Sequence, residues 1–382
     1  MTEDLRDRVL QLLAESPFVE GHNDVPFQVR QRAGNDLESF DFEDTHALDP
    51  PMHTDLKRLR AGCVGAQFWA AYVPHELAGA GAARVMFEQI EVAARLATAY
   101  PETLQPAFCA DDIERIHAAG KIASLIAVEG GHAIENSLPV LRLAYHAGAR
   151  YMTLLHNVHT DWADCCLLDP VHGGLTDFGH EVVACMNELG MLIDLSHASA
   201  DTMRQTIEAS TAPVACTHSG AAAINDYPRN VPDDVLRMLR DSGGIVMATF
   251  VPYFVSPRVL EHRARRTGWS ARLSELYPDD AERRKRELAF WEADHPAERA
   301  TIGDVADHVD HLCDVMGSEH VGIGSDFDGI KEVPEGLEDV SKFPDLFVEL
   351  ARRGYSDDEL RGIAGGNFLR VMRAVEETAA LG

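Results

Sequence analysis

The chain has 382 residues, of which 46% are hydrophobic and 25% are charged, so a large packed core is expected and disorder is not. Its 62 acidic and 34 basic residues give a formal net charge of −28. Nucleic acid and anionic membranes carry the same sign of charge, so this composition argues against both as partners.

The sequence shows no targeting signal, and its cysteines are typical of a cytoplasmic protein. Met1-Thr2-Glu3-Asp4 is not followed by the basic and apolar segments of a secretory signal, and no apolar run reaches the roughly 18 residues of a membrane span. The seven cysteines are scattered and show no Cys-x-x-Cys spacing, which is typical of reduced thiols. We therefore expect a cytoplasmic protein without a membrane partner.

Short apolar segments alternate with segments of helical periodicity, the pattern of β–α units around a parallel sheet. Strands are predicted at residues 17–24, 63–73, 122–129, 149–156, 191–197, 214–218, 244–250 and 320–326. Helices are predicted at residues 83–100, 111–119, 178–189, 200–210, 233–240, 302–316, 357–363 and 367–379. Eight parallel strands close a small barrel, so the predicted fold class is α/β, a (β/α)₈ TIM barrel.

Residues 258–299 do not fit the minimal pattern. They form a long, highly charged segment of helical character between the seventh and eighth predicted strands, where a barrel carries loops of its active-site face. This insertion could form a lid or a subunit contact. A solvent-exposed helical segment without a functional role is an equally good interpretation. Residues 1–382 as a whole are expected to form a single barrel domain.

Residues able to bind metal ions stand at the C-terminal ends of six predicted strands: His22, Asp24, Glu129, His156, His197, His218 and Asp326. Barrels place their catalytic groups on this face. A lone histidine on a strand is usually structural, but burying several imidazoles and carboxylates together is costly unless a cation or hydrogen bonds compensate. The set therefore favours a metal centre over a structural cluster.

Imidazole and carboxylate without thiolate suit zinc, manganese or cobalt in a hydrolytic site. His22 and Asp24 are two residues apart on a strand and so point to the same side, into the barrel mouth. If Glu129 bridges, the set suffices for two metal ions sharing a hydroxide. A Gly-x-Ser-x-Gly elbow and the glycine-rich phosphate loops are absent from the sequence, so a serine nucleophile and nucleotide cofactors are not supported.

Several segments resemble the renal (membrane) dipeptidase family of the amidohydrolase superfamily. Among them are Gly21-His22-Asn23-Asp24, Val128-Glu129-Gly130, Asp194-Leu195-Ser196-His197, Pro228-Arg229-Asn230 and Gly324-Ser325-Asp326-Phe327-Asp328-Gly329. These segments occur in order and, with Gly365-Gly366-Asn367, cover almost the whole chain, so the resemblance is specific.

The resemblance implies two Zn²⁺ ions per chain, one held by His22 and Asp24 and the other by His197 and His218. Glu129 would bridge them. The implied reaction is hydrolysis of a dipeptide, L-Xaa-L-Xaa or L-Xaa-D-Xaa, by attack of a zinc-bridging hydroxide on the peptide carbonyl. Family members tend to be dimers, which makes a homodimer an option for this chain.

Four residues would act on the substrate according to the same resemblance. His156 would polarise the scissile carbonyl, and Asp326 would pass a proton from the hydroxide to the leaving amine. Arg229 would bind the terminal carboxylate of the dipeptide, and Tyr253 is a candidate for a further substrate contact. His159, Asp161 and Asp164, just past the fourth predicted strand, are further candidates for lining the cavity.

Two alternatives stay open at this point. Another hydrolase of the superfamily, a lactonase or a deaminase, would also use histidines and aspartates at barrel strand ends, but a deaminase normally binds one metal without a bridging Glu. A catalytically silent barrel would have a broken set of ligands, whereas every expected position is filled here. Side-chain preference, native metal and physiological pathway do not follow from the sequence.

Overall fold

The computed structural model describes residues 2–380, within which a sheet of nine parallel strands forms the centre of the molecule. The strands are β1 Phe18–Asn23, β2 Val64–Tyr72, β3 Leu104–Pro106, β4 Ile122–Glu129, β5 Ala149–Thr153, β6 Leu192–Asp194, β7 Ala215–Ser219, β8 Ile245–Ala248 and β9 Val321–Ile323. Their order is β2-β1-β9-β8-β7-β6-β5-β4-β3. Because β2 also pairs with β4 over seven residues, eight strands close into a barrel and β3 pairs only with the start of β4. The predicted TIM barrel is confirmed.

Helices surround the barrel and connect its strands. They are α1 Thr2–Glu15, α2 Val25–Ala33, α3 Leu56–Ala61, α4 Ala82–Ala99, α5 Ala110–Ala118, α6 Leu138–His146, α7 Asp177–Leu189, α8 Ala200–Ala209, α9 Asp233–Asp241, α10 Pro252–Val255, α11 Pro257–Leu276, α12 Ala281–Asp294, α13 Ile302–Met316, α14 Phe343–Arg353, α15 Asp357–Arg361 and α16 Asn367–Ala380. Short 3₁₀ turns lie at Thr45–Ala47, His75–Leu77, Gly131–Ile134, Ser318–His320 and Val340–Lys342, and a π-helical turn at Gly362–Gly366.

All predicted strands exist, but several are shorter than predicted at their C-terminal ends. The extended conformation ends at Asp194 in β6 and at Ile323 in β9, three residues before His197 and Asp326. Both of these residues have a positive φ, +70° and +67°, so the chain turns sharply there. The short strand β3 and the helices α1, α2, α3, α6, α10 and α14 were not predicted.

The base of the barrel is packed with aromatic and apolar side chains. Phe68 packs against Tyr151 with ring centroids 5.0 Å apart and against Phe368 at 5.2 Å. Gly21 allows β1 to pass close to this layer, since a Cβ there would lie 2.6 Å from Met247 Sδ and 2.8 Å from the Thr217 carbonyl oxygen. The close packing below His22 therefore gives that side chain a rigid base.

Residues 258–299 lie largely in the consecutive helices α11 and α12, between β8 and the α13–β9 unit. An Arg266–Glu292 ion pair of 2.7 Å joins the two helices, and no residue of α12 is buried. Arg263 of α11 stacks on Tyr253 of α10, 4.2 Å from the ring centroid, so the segment reaches the residues that follow β8. None of the helices within residues 2–380 is both long and apolar enough to cross a membrane.

Candidate metal centre and substrate cavity

The side chains of His22, His197 and His218 converge with the carboxylate of Glu129 at the mouth of the barrel. Glu129 ends β4, and its two carboxylate oxygens face opposite groups of ligands. Its Oε1 lies 3.1 Å from His197 Nε2 and 3.6 Å from His218 Nε2. Its Oε2 lies 3.5 Å from His22 Nε2, which is also 3.5 Å from Asp24 Oδ2. A carboxylate in this position can serve two ions at once.

Each imidazole is held at Nδ1 by an oxygen, so that Nε2 faces the centre. Tyr151 Oη donates to the Gly21 carbonyl at 2.9 Å and therefore accepts from His22 Nδ1–H, also at 2.9 Å. Thr217 Oγ1 similarly donates to a carboxylate at 2.8 Å and accepts from His218 Nδ1–H at 3.0 Å. His197 Nδ1–H donates to Asn157 Oδ1 at 3.0 Å. Such outer hydrogen bonds set the tautomer of metal-binding histidines.

This arrangement fits a bound cation and is unfavourable without one. With both Nδ1 atoms protonated, the Nε2 lone pairs of His197 and His218 face each other across 3.1 Å. His22 Nε2 is fully buried and has no hydrogen-bond partner. Three overlapping groups of side chains each have ligand atoms within 4.8 Å of one another. The groups are His22, Glu129 and His218; Glu129, His156 and His197; and His22, Asp24 and Asp326. The donor set of imidazoles and carboxylates matches the preference of zinc and related divalent metals.

The electrostatics also call for positive charge. Burial and the neighbouring cationic groups lower the pKa of His197 and His218 well below the usual value, so both imidazoles are neutral. Burial raises the pKa of Asp24, with the Glu129 charge adding to the effect. At His22 burial lowers the pKa, but Tyr151 and Glu129 outweigh it and raise the pKa overall. A bound metal ion would supply this positive charge and favour the ionised carboxylates.

Replacing Tyr151 with phenylalanine is expected to lower metal affinity by about tenfold or more, because His22 loses the acceptor that fixes its tautomer. The ring keeps its packing on Phe68, so the fold is expected to remain. Metal affinity is measured by competition with a chelator, and the spectrum of the cobalt-substituted protein reports the ligand geometry. Tyr145→Phe, far from the centre, is the matched control. Equal metal affinity for Tyr151→Phe and the unmodified protein would contradict the prediction.

His156 lies beside the metal centre, and its Nδ1–H is free to donate a hydrogen bond. Burial and the charge of Arg229 lower the pKa of His156 to about 3, so its imidazole is neutral. Asn157 Nδ2 lies 3.4 Å from His156 Nε2, while His156 Nδ1 is buried without a partner. The ring packs 4.8 Å from Tyr72 and 4.6 Å from His197. An unpaired donor near the ligands can bind an oxygen that becomes negative during the reaction.

Arg229 is only 1% exposed, and its guanidinium forms no ion pair with the described residues. Its Nη1 donates to Ser219 Oγ and its Nη2 to the His218 carbonyl, both at 3.2 Å, and its Nε has no partner. The guanidinium lies 5.3 Å from the ring centroid of Phe254. A buried cation is costly unless paired, so Arg229 is placed to receive an anionic group of a ligand.

These residues open into one cavity of about 400 Å³. Its walls include seven residues predicted from the sequence: Asp24, Glu129, His156, His197, Arg229, Tyr253 and Asp326. His22 and His218 are buried and do not line the cavity. Burial raises the pKa of Asp326 well above its usual value, and the charges of Asp24 and Glu129 act in the same direction. The structure thus brings together the predicted metal ligands and the four predicted substrate residues, and their individual roles stay predictions.

Tyr72 and Asn157 are functional candidates that the sequence reasoning missed. Tyr72 ends β2 at the cavity wall, and its position at a strand end was the available signal. Asn157 lies in the loop after β5, where only the contact with His197 reveals it. His159, Asp161 and Asp164 do not line the cavity. Asp164 instead accepts backbone N–H groups from Val171 to Gly174, and this role is structural.

The fold and the site define the class: a TIM-barrel hydrolase with a metal centre. A family model described as membrane dipeptidase (peptidase family M19) matches residues 6–381. Dipeptidase 3 of Rattus norvegicus is 40% identical over 378 residues, covering 98% of this chain and 68% of that protein. Dipeptidase verJ of Clonostachys rogersoniana is 38% identical over 390 residues, covering 99% of this chain and 89% of that protein.

Solved structures show the same fold. The probable dipeptidase PvdM from Pseudomonas aeruginosa superposes with a TM-score of 0.84 at 23% identity, covering 99% of this chain and all of that one. A metallo peptidase from Rhodobacter sphaeroides has a TM-score of 0.76 at 24% identity, covering 94% and 99% of the two chains. The chain belongs to the membrane dipeptidase family, peptidase family M19. It is a metal-dependent hydrolase that acts as a dipeptidase.

Proposed function

We propose that the chain binds two Zn²⁺ ions, one through His22 and Asp24 and one through His197 and His218, with Glu129 shared between them. The observation that carries the proposal is the position of the Glu129 carboxylate, with one oxygen 3.1 Å from His197 Nε2 and the other 3.5 Å from His22 Nε2. When bound, the metal ions would supply the Lewis acidity that activates water at neutral pH. Elemental analysis of the purified protein tests both the identity and the number of the ions.

The protein's own groups supply the remaining steps. His156 Nδ1–H donates to the scissile carbonyl oxygen as negative charge develops on it. The Asp326 carboxylate takes a proton from the attacking water and returns it to the nitrogen of the leaving residue. Arg229 binds the terminal carboxylate and thereby sets the distance from the chain end to the cut.

The proposed substrates are L-Xaa-L-Xaa and L-Xaa-D-Xaa dipeptides. The Rhodobacter sphaeroides structure holds a phosphinate mimic of L-Ala-D-Ala, which supports a dipeptide in this kind of cavity and a D-residue at its second position. Release of amino acids from pools of the two peptide types by the zinc-loaded protein tests the proposal. If a protein with two ions per chain cleaves neither pool but opens lactones or releases ammonia from amines, the dipeptidase assignment is wrong.

Replacing Arg229 with glutamine is expected to lower kcat/KM for dipeptides by about 10- to 100-fold, mainly through KM, since a hydrogen bond to a charged group is lost. Steady-state kinetics on L-Ala-L-Ala measures the effect. Dipeptide amides, which lack the terminal carboxylate, serve as the matched substrates. The unmodified protein is expected to cleave them poorly, and equal rates for acid and amide would overturn the role of Arg229.

We also propose a cytoplasmic location, which the seven unpaired cysteines support because thiols are kept reduced in that compartment. Cell fractionation tests it. The homodimer that the family resemblance implies is a separate proposal, and light scattering of the purified protein measures it.

A further inference from the structure

We propose that this dipeptidase prefers substrates whose second residue has an acidic side chain, and that Arg263 and Lys331 select it. The inference rests on the proposed function, in which Arg229 binds the terminal carboxylate. Beside the main cavity lies a second one of about 270 Å³. The two share Val251, Tyr253, Gly329, Ile330 and Lys331, so they are continuous.

The charge of the second cavity is unusual for this protein. The chain carries a net charge of −28, yet this cavity is lined by the cations Arg263 and Lys331 against a single carboxylate, Glu332. Neither cation forms an ion pair with the described residues. On the same helix, Arg258, Arg265 and Arg266 are each paired with a carboxylate.

Arg263 is exposed, but its guanidinium is held in place by an aromatic ring. Its guanidinium stacks on Tyr253 at 4.2 Å, and Tyr253 in turn packs against Tyr227 at 5.4 Å and Phe254 at 4.7 Å. Cation–π contact orients the guanidinium but leaves its N–H groups available for hydrogen bonds. A carboxylate entering the cavity could accept those hydrogen bonds.

The position of the cavity points to the second residue of the dipeptide. At one side, Tyr253 contacts Phe254, the ring that lies under the Arg229 guanidinium. At the other side, Gly329, Ile330 and Lys331 follow closely after Asp326 in the chain. Arg229 would bind the terminal carboxylate and Asp326 would protonate the leaving nitrogen. Both groups belong to the second residue, so its side chain is the part nearest to this cavity.

The test compares kcat/KM for L-Ala-L-Asp, its neutral isostere L-Ala-L-Asn, L-Ala-L-Ala and the reversed peptide L-Asp-L-Ala. The unmodified protein is expected to prefer L-Ala-L-Asp to L-Ala-L-Asn. Arg263→Gln and Lys331→Gln are each expected to reduce this preference by about threefold to fivefold, the upper part of the range of an exposed ion pair, and the double variant by about tenfold. Glu332→Gln is expected to increase the preference. Salt is expected to weaken it, because exposed charges are screened.

Arg265→Gln is the matched control, since Arg265 lies on the same helix and is paired with Glu261. Equal kcat/KM for L-Ala-L-Asp and L-Ala-L-Asn would overturn the inference while leaving the dipeptidase function intact. A preference for the acidic residue at the first position, or a preference that survives in the double variant, would also overturn it. If none of the four peptides is cleaved, including L-Ala-L-Ala, it is the proposed function that fails, and this inference fails with it.

Discussion

Replacing Asp326 with asparagine is expected to lower kcat by about 10²- to 10⁴-fold, the usual contribution of a general acid–base group. The amide has nearly the shape of the carboxylate but cannot take up a proton at neutral pH. Asparagine also tolerates the left-handed backbone that Asp326 adopts, with φ +67°, so the turn after β9 is expected to persist. Steady-state kinetics on L-Ala-L-Ala, together with metal content and melting temperature, measures the effect.

Asp328→Asn is the control for Asp326→Asn. Asp328 lies two residues further on in the same loop with φ +66°, and its Oδ1 accepts the His53 backbone N–H at 2.8 Å. An amide oxygen can accept that hydrogen bond as well, so a much smaller loss of activity is expected. A similar loss in both variants would indicate a general effect of removing negative charge from the loop. Full activity in Asp326→Asn would mean that another group moves the proton.

Replacing Glu129 with glutamine is expected to reduce the metal content to at most one ion per chain and to remove most of the activity. The carboxylate presents Oε1 to His197 and Oε2 to His22, whereas an amide has only one oxygen to offer. Its NH₂ group would face the other ligand set and repel the ion there. Elemental analysis after dialysis against a weak chelator measures the metal content.

Glu135→Gln is the matched control for Glu129→Gln, because Glu135 follows the same strand but is exposed and accepts the Gly81 backbone N–H. This variant is expected to keep its metal and activity. If Glu129→Gln retained two ions per chain with unchanged affinity, Glu129 could not be the shared ligand. The ions would then be held by separate ligand sets.

The sequence predicted the barrel strands better than the turns that follow them. The eight barrel strands and the clustering of the candidate ligands at their C-terminal ends were predictable, since buried parallel strands form short apolar runs and barrels place reactive groups after them. β4 agrees with its prediction at both ends, Ile122 and Glu129. His197 and Asp326 lie beyond their strands, in left-handed turns that the sequence pattern does not reveal. Helix α1 was missed although Leu5, Val9, Leu12 and Leu13 recur at helical spacing, and this apolar face joins the core beside α14.

By itself, the sequence determined the fold class, the candidate ligands and the family resemblance, because strand periodicity and residue type are local properties of the chain. Only the tertiary structure decided how these ligands are held. Tyr151 and Asn157 are far in sequence from the histidines whose Nδ1–H groups they accept, and Thr217, next to His218, is far from the carboxylate to which it donates. Only barrel closure brings His22 and Tyr151, 129 residues apart, within 2.9 Å. Only the tertiary structure also shows that Arg263 and Lys331 line the same second cavity. Which side chains face one cavity depends on strand register and loop path, and neither can be read from local pattern alone.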